Sequence, residues 1–428
     1  MKALKIWLIL LAVVAFVLAL GGAAFAFHDG GVAYCEGCHT MHNSLGGVSN
    51  SVKGGGTVGN GQNQYLLKGS DPSSTCLNCH QSNMMGANIQ VLSNDGTAYT
   101  PGGDFYWLNQ TYTYTAAGGN VTSKGENHGH NVIAGDFGLT ADDKLTVAPG
   151  STGKYAANNL ACNSCHNPHG RVNGGTRSKV GPVAQSGSYG YAPITGTING
   201  NYRLLADSSY VPGDTAVYGP QPSTAGYPAD WTYSANAPVA VTDGNFREAE
   251  GLGGVAQGSD KTWEHTDYGT GISEWCANCH DQFLNNTGTS TSHRHPAGDS
   301  AILGGLADLY NTYVASGNYS GASDKSYLPL VPFERGSGAI LNAAGTSGPA
   351  AGGGGKEAVM CLSCHRAHAS AFDEMTRWDT GAEFMSASSA LIATSKAWAA
   401  NAPYYGWDIV ANMGTYQRNL CNKCHVQD

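Results

Sequence analysis

Every one of the twelve cysteines in this chain belongs to a Cys-x-x-Cys pair followed at once by histidine. The six instances are Cys35, Cys38 and His39; Cys76, Cys79 and His80; Cys162, Cys165 and His166; Cys276, Cys279 and His280; Cys361, Cys364 and His365; and Cys421, Cys424 and His425. A disulfide framework places no demand on the next residue, and two cysteines three apart pair poorly with each other. Zinc also uses Cys-x-x-Cys pairs, but it leaves the following residue open. With 15 histidines in 428 residues, random placement would put one after all six pairs with a probability of about two in a billion.

Covalent haem c accounts for the histidine directly. Two thioethers fix the porphyrin vinyl groups, and the adjacent imidazole meets the iron from the proximal side. The twelve cysteines therefore predict six haems c, with His39, His80, His166, His280, His365 and His425 as proximal ligands. First cysteines are 41, 86, 114, 85 and 60 residues apart, too uneven for a tandem array of equal units.

The sixth iron position decides the chemistry: a second ligand makes an electron carrier, and an open position makes a substrate site. Nine histidines remain: His28, His42, His128, His130, His169, His265, His293, His295 and His368. That is enough for six bis-His haems, and the eight methionines offer an alternative ligand that raises potential. His42, His169 and His368 each lie three residues after a proximal histidine, too near to reach the far face of the same haem, so each is placed to ligate a different one. The close pairs His128 with His130 and His293 with His295 each supply one candidate, and spacing leaves open which. His295 precedes Pro296 in a rigid, turn-like setting, His28 lies seven residues before Cys35, and His265 has polar neighbours and no such pairing.

The elements that must hold these groups are sparse. Only 12% of the chain is charged and 60 residues are glycine. Glycine adds no side chain to a core and loses the most backbone entropy on ordering, which argues against a doubly wound α/β enzyme, a TIM barrel or a helical bundle. Helical spacing is clear at Ile302, Leu306, Leu309, Tyr310 and Tyr313, and the stretches after Cys361 and from Met385 to Ala400 also read as helical. Gly46 to Gly61 and Gly345 to Gly355 read as loops. The expected fold is a multihaem c-type cytochrome, mostly coil and loops with a few short helices and little β, wrapped around a continuous haem chain. Arg366 and Lys423, near their motifs, are candidate partners for haem propionates, and bound calcium or magnesium is compatible with the acidic balance.

Lys2 and Lys5 precede an apolar run from Ile6 to Leu20, a Gly21–Gly22 break and the small-x-small site ending at Ala26, the pattern of a cleaved secretory leader. Residues 1–26 are read as signal peptide and 27–428 as one hexahaem unit. Losing the two lysines takes the formal charge from −9 to −11. With no basic run, nucleic acid is not an expected partner. Export suits c-type haem attachment, which takes place outside the cytoplasm.

Phe27-His28-Asp29-Gly30-Gly31-Val32-Ala33 leading into Cys35 through Leu45, Gly271 to His280 with Ser273-Glu274-Trp275, Cys361 to Ser370, and Tyr416-Gln417-Arg418 to His425 together resemble the filament-forming hexahaem outer-surface cytochromes of dissimilatory metal-reducing bacteria. The likeness covers all six motifs and both chain ends, while loops between motifs differ in length and content. It implies six closely stacked, all bis-His haems and subunits joined head to tail in an extracellular conducting filament. By the same resemblance the distal ligands are His28, His42, His130, His169, His295 and His368, His42 serving a haem of the adjacent subunit, and His128, His265 and His293 are not ligands. Expected partners are other copies of the chain, cytochrome donors, and metal oxides or cells as acceptors. The competing class, a multihaem reductase, needs a five-coordinate haem often marked by lysine in place of a motif histidine, and no motif here carries that replacement. A soluble periplasmic shuttle shares the chemistry and differs in assembly and address.

Overall fold

The computed structural model describes residues 35–40, 44–45, 48–49, 66–82, 90–98, 100, 102–116, 119–151, 157–166, 168, 205, 240–241, 267–268, 271–284, 295–320, 331–335, 357–387, 404 and 408–425. The signal peptide, most of both glycine-rich loops and residues 388–400 of the expected helix lie outside these residues.

Among the described residues, the Cys-x-x-Cys-His motifs recur as short helical turns. Cys35–Cys38, Cys162–Cys165 and Cys361–Cys364 are each a single α-helical turn. One turn puts residues three apart on one face, so in the Cys162–Cys165 and Cys361–Cys364 turns both sulfurs lie on the same side. The turn closes on the histidine: the amides of His166, His280, His365 and His425 donate to the carbonyls of Cys162, Cys276, Cys361 and Cys421 at 3.0, 3.1, 3.0 and 2.9 Å. At His166 and His365 the backbone then becomes extended, which turns the imidazole away from the helix.

The longest described helix, Pro72–His80, carries the second motif. Pro72 has a preset φ and no amide to satisfy at the first helical position, and the Asp71 carboxylate caps the end by accepting from the Ser74 amide at 2.7 Å. The helix Leu306–Thr312 forms where the periodicity placed it, and Tyr310 and, just past its end, Tyr313 of the expected stripe are buried together with Ala307 and Asn311, while Ile302 and Leu306 are exposed. Ile302 lies before the helix begins, bridged to Ala358.

Sheet is minor. Tyr112–Ala116 and Gly119–Ser123 form an antiparallel hairpin, and Ser44–Leu45 pairs with Val48–Ser49. Four two-residue strands, Ala240–Val241, Asp267–Tyr268, Glu334–Arg335 and Glu357–Ala358, lie side by side in that order, with the central pair parallel and the outer pairs antiparallel. The principal protein core is rich in aromatics, among them Phe105, Trp107, Tyr112, Tyr310, Phe333, Phe372, Trp378 and Tyr404. Burying each such ring stabilises by about 1.5–3 kcal/mol.

Candidate functional site

The six motifs meet in sequence order. Cys38 interacts electrostatically with Cys76, and the Cys76 and Cys162 thiols are hydrogen-bonded to each other. Cys165 lies within electrostatic reach of Cys276, whose thiol is hydrogen-bonded to that of Cys361. Cys364 interacts in turn with Cys421 and Cys424. No disulfide joins the cysteines Cys38, Cys76, Cys79, Cys162, Cys165, Cys276, Cys279, Cys361, Cys364, Cys421 and Cys424.

Three imidazole pairs face each other across this chain. Ring centroids of His130 and His280 are 5.9 Å apart, those of His166 and His368 6.3 Å, and those of His295 and His425 6.1 Å. Two imidazoles binding one iron from opposite sides, through metal–nitrogen bonds of about 2 Å, have centroids roughly 6 Å apart. Each pair joins one proximal and one distal candidate from the sequence. Nδ1 of His130, His280, His295 and His365 lies 2.7, 2.7, 2.9 and 2.8 Å from the carbonyls of Ala367, Pro149, Pro296 and Glu374. An Nδ1–H donated to a carbonyl leaves the Nε2 lone pair for a metal. Burial, reinforced by His280 and His365, pushes the His130 pKa down to about 4, so the ring is neutral, as a ligand must be. These residues fit haem c.

The two distal candidates His130 and His368 come from distant segments stitched by backbone. The His130 amide donates to the His368 carbonyl at 2.9 Å, the His368 amide to Gly102 at 2.6 Å, and the Ser370 amide to His128 at 2.9 Å. Glycine makes this approach possible. A Cβ on Gly103, which has φ +90°, would lie 1.9 Å from the Ala369 oxygen, and one on Gly102 would lie 2.5 Å from the His368 ring.

His128 is of another kind. It is completely buried, with Nε2 2.6 Å from the Ser123 hydroxyl and Nδ1 3.0 Å from the Trp107 carbonyl, and it stacks on Tyr112. Both nitrogens are engaged by protein. His39 and His80 lie at the ends of their motifs, His39 bridged to Leu67. His28, His42, His169, His265 and His293 lie outside the described residues.

Arg366 and Lys423 are almost fully buried beside the motifs, as is Arg377, which motif proximity did not single out. Lys423 donates to the Tyr313 carbonyl and lies 5.0 Å from the Tyr310 ring centroid. Three carboxylates, Glu274, Asp299 and Glu334, converge to within 4.8 Å. Burial, and then repulsion from Glu274, pushes the Glu334 pKa up to about 8. Spacing missed Ser73 and Ser273 altogether. Their hydroxyls accept from the amides of Cys162 and Cys361 at 3.0 and 3.1 Å, and the only sequence signal is that each stands three residues before a first cysteine.

No protein-family model matches the chain. It is 40% identical over 449 residues to the C-type cytochrome OmcS of Geobacter sulfurreducens, covering 97% of each chain. Two solved structures are similar to it: the OmcS nanowires of Geobacter sulfurreducens by cryo-EM, with a TM-score of 0.71, and the outer membrane cytochrome S filament of the same organism, with 0.69. Each is 36% identical and covers 94% of this chain and 100% of the solved one.

Proposed function

The chain belongs to the family of the C-type cytochrome OmcS, and from that premise we propose that it is a six-haem cytochrome that polymerises into an extracellular filament and transfers electrons along it. The bound haem irons supply the redox change. The chain's own residues attach the six groups at the twelve cysteines, hold their order, and close both axial positions so that no substrate site remains. The axial pairs are His280 with His130, His166 with His368, and His425 with His295. His28, His42 and His169 serve the remaining irons, with His42 reaching into the adjacent subunit. Residues 27–428 act as one unit after export through the periplasm and loss of residues 1–26. The protein is a carrier, not an enzyme, receiving electrons from other cytochromes and delivering them to metal oxides or cells.

The observation that carries this reading is the set of three facing imidazole pairs, each with the separation that a shared iron requires. The order of the cysteines from first motif to last supports continuity. Intact mass with haem quantitation of the secreted protein is expected to give six haems, and electron paramagnetic resonance a wholly low-spin ferric spectrum. A stoichiometric high-spin signal would instead mean an open iron and a reductase.

A further inference from the structure

The second and third motifs, and separately the fourth and fifth, meet through the same two contacts. The first cysteines touch, Cys76 with Cys162 and Cys276 with Cys361. Beside each contact a serine three residues ahead of one motif reaches the first amide of the other: Ser73 to Cys162 at 3.0 Å, and Ser273 to Cys361 at 3.1 Å. Both serines are completely buried. Within each pair the first cysteines are separated by 86 and 85 residues, so the uneven spacings conceal one arrangement used twice.

The first amide of a helical turn has no partner within its own helix. In the third and fifth motifs that amide, at Cys162 and Cys361, receives a hydroxyl from a neighbouring motif in place of a local cap. The local cap positions are used otherwise: Ser164 accepts from the Ala161 amide at 2.9 Å and Ser363 from the Met360 amide at 3.1 Å, each inside its own motif. A directed hydrogen bond at the start of the turn, next to the sulfur contact, fixes how one motif sits on the other.

We propose that Ser73 and Ser273 are positioning residues that set the spacing and orientation within two equivalent haem pairs, and through them the electronic coupling along the chain. This rests on the six-haem reading above. Haems bound at these two cysteines would have their attachment edges close together, and the angle between them would follow the angle between two helical turns, which the serine holds. In Ser273 the hydroxyl is itself oriented by donating to Glu334 at 3.2 Å. Contacts of this kind must be held to within about 0.5 Å and 10–20° to keep a functional geometry.

The test is Soret circular dichroism of the fully haem-loaded protein, in which close haem pairs give a bisignate couplet. Ser73→Ala with Ser273→Ala is expected to keep six haems and all low-spin irons, and to lose about half of the couplet amplitude. Ser164→Ala with Ser363→Ala removes hydroxyls that serve amides at the starts of their own motifs, Ser363 also donating to the Pro332 carbonyl at 2.6 Å, and is expected to lower thermal stability and leave the couplet unchanged. Six haems with an undiminished couplet in the Ser73 and Ser273 double variant overturn the proposal. If that variant loads fewer haems, Ser73→Thr with Ser273→Thr, which keeps both hydroxyls, must restore six haems and the couplet. Failure of the threonine variant as well overturns the proposal. Wild-type protein with fewer than six haems would instead overturn the six-haem reading, an outcome distinct from these.

Discussion

The amide of His130 donates a 2.9 Å hydrogen bond to the carbonyl of His368, which ties together two imidazoles that face different motif histidines, His280 and His166. The Nδ1 of His130 also lies 2.7 Å from the carbonyl of Ala367. One backbone junction thus positions candidate ligands for two neighbouring sites. A disturbance there is expected to act on both.

The two histidines of the His128–His130 pair should separate cleanly on mutation. His130→Ala is expected to keep six covalent haems and convert one of them to a high-spin form, seen by electron paramagnetic resonance. His128→Ala leaves the Ser123 hydroxyl and Trp107 carbonyl without their buried partner, at a cost of about 1–3 kcal/mol. Its spectrum is expected to stay low-spin while the thermal midpoint falls. The reverse pattern would exchange the two roles.

Gly103→Ala tests the junction without touching a ligand. The added Cβ would fall 1.9 Å from the Ala369 oxygen, at a φ of +90° that side chains rarely adopt. Backbone strain at such a position costs on the order of 1–3 kcal/mol before the clash is counted. The expected outcome is a lower midpoint of denaturation together with partial loss of the low-spin signal. Unchanged stability would mean that the two segments are not held in this contact.

His42→Ala addresses assembly. Six attached haems are expected, with impaired polymerisation, because one iron at each subunit junction loses its sixth ligand. Negative-stain electron microscopy checks it, and filaments of normal length and number would sink the idea.

Glu334 makes stability depend on pH. Its pKa rises from 4.5 to about 8 in the fold, chiefly through burial, so the folded state binds the proton more tightly than the unfolded chain. Its stabilisation is complete below about pH 4.5 and is lost as pH rises through about 8. The thermal midpoint of the wild type is therefore expected to drop between these limits, apart from other titrations, and Glu334→Gln is expected to flatten that drop. An identical pH profile in the variant would remove Glu334 as the cause.

Gly102 and Gly103 let one strand of backbone lie against another, the one that carries His368. The helix Leu306–Thr312 was legible from its periodicity, as was the burial of Tyr310 and Tyr313, while the exposure of Ile302 was not, because Ile302 precedes the helix and bridges to Ala358 far along the chain.

The sequence alone determined everything that depends on neighbours along the chain. Covalent attachment needs two cysteines on one helical turn and a histidine immediately after, so twelve cysteines and six proximal histidines could be named from spacing. Family likeness added which extra histidines match known ligands. Tertiary structure decided which imidazoles come together, because His130, His368 and His295 meet motif histidines far from them in the sequence. It separated His128, with both ring nitrogens engaged by protein, from His130, whose ring lies 5.9 Å from that of His280. It also showed the 86- and 85-residue spacings to be a pair of equivalent contacts, held by serines whose role appears only when distant turns are brought together.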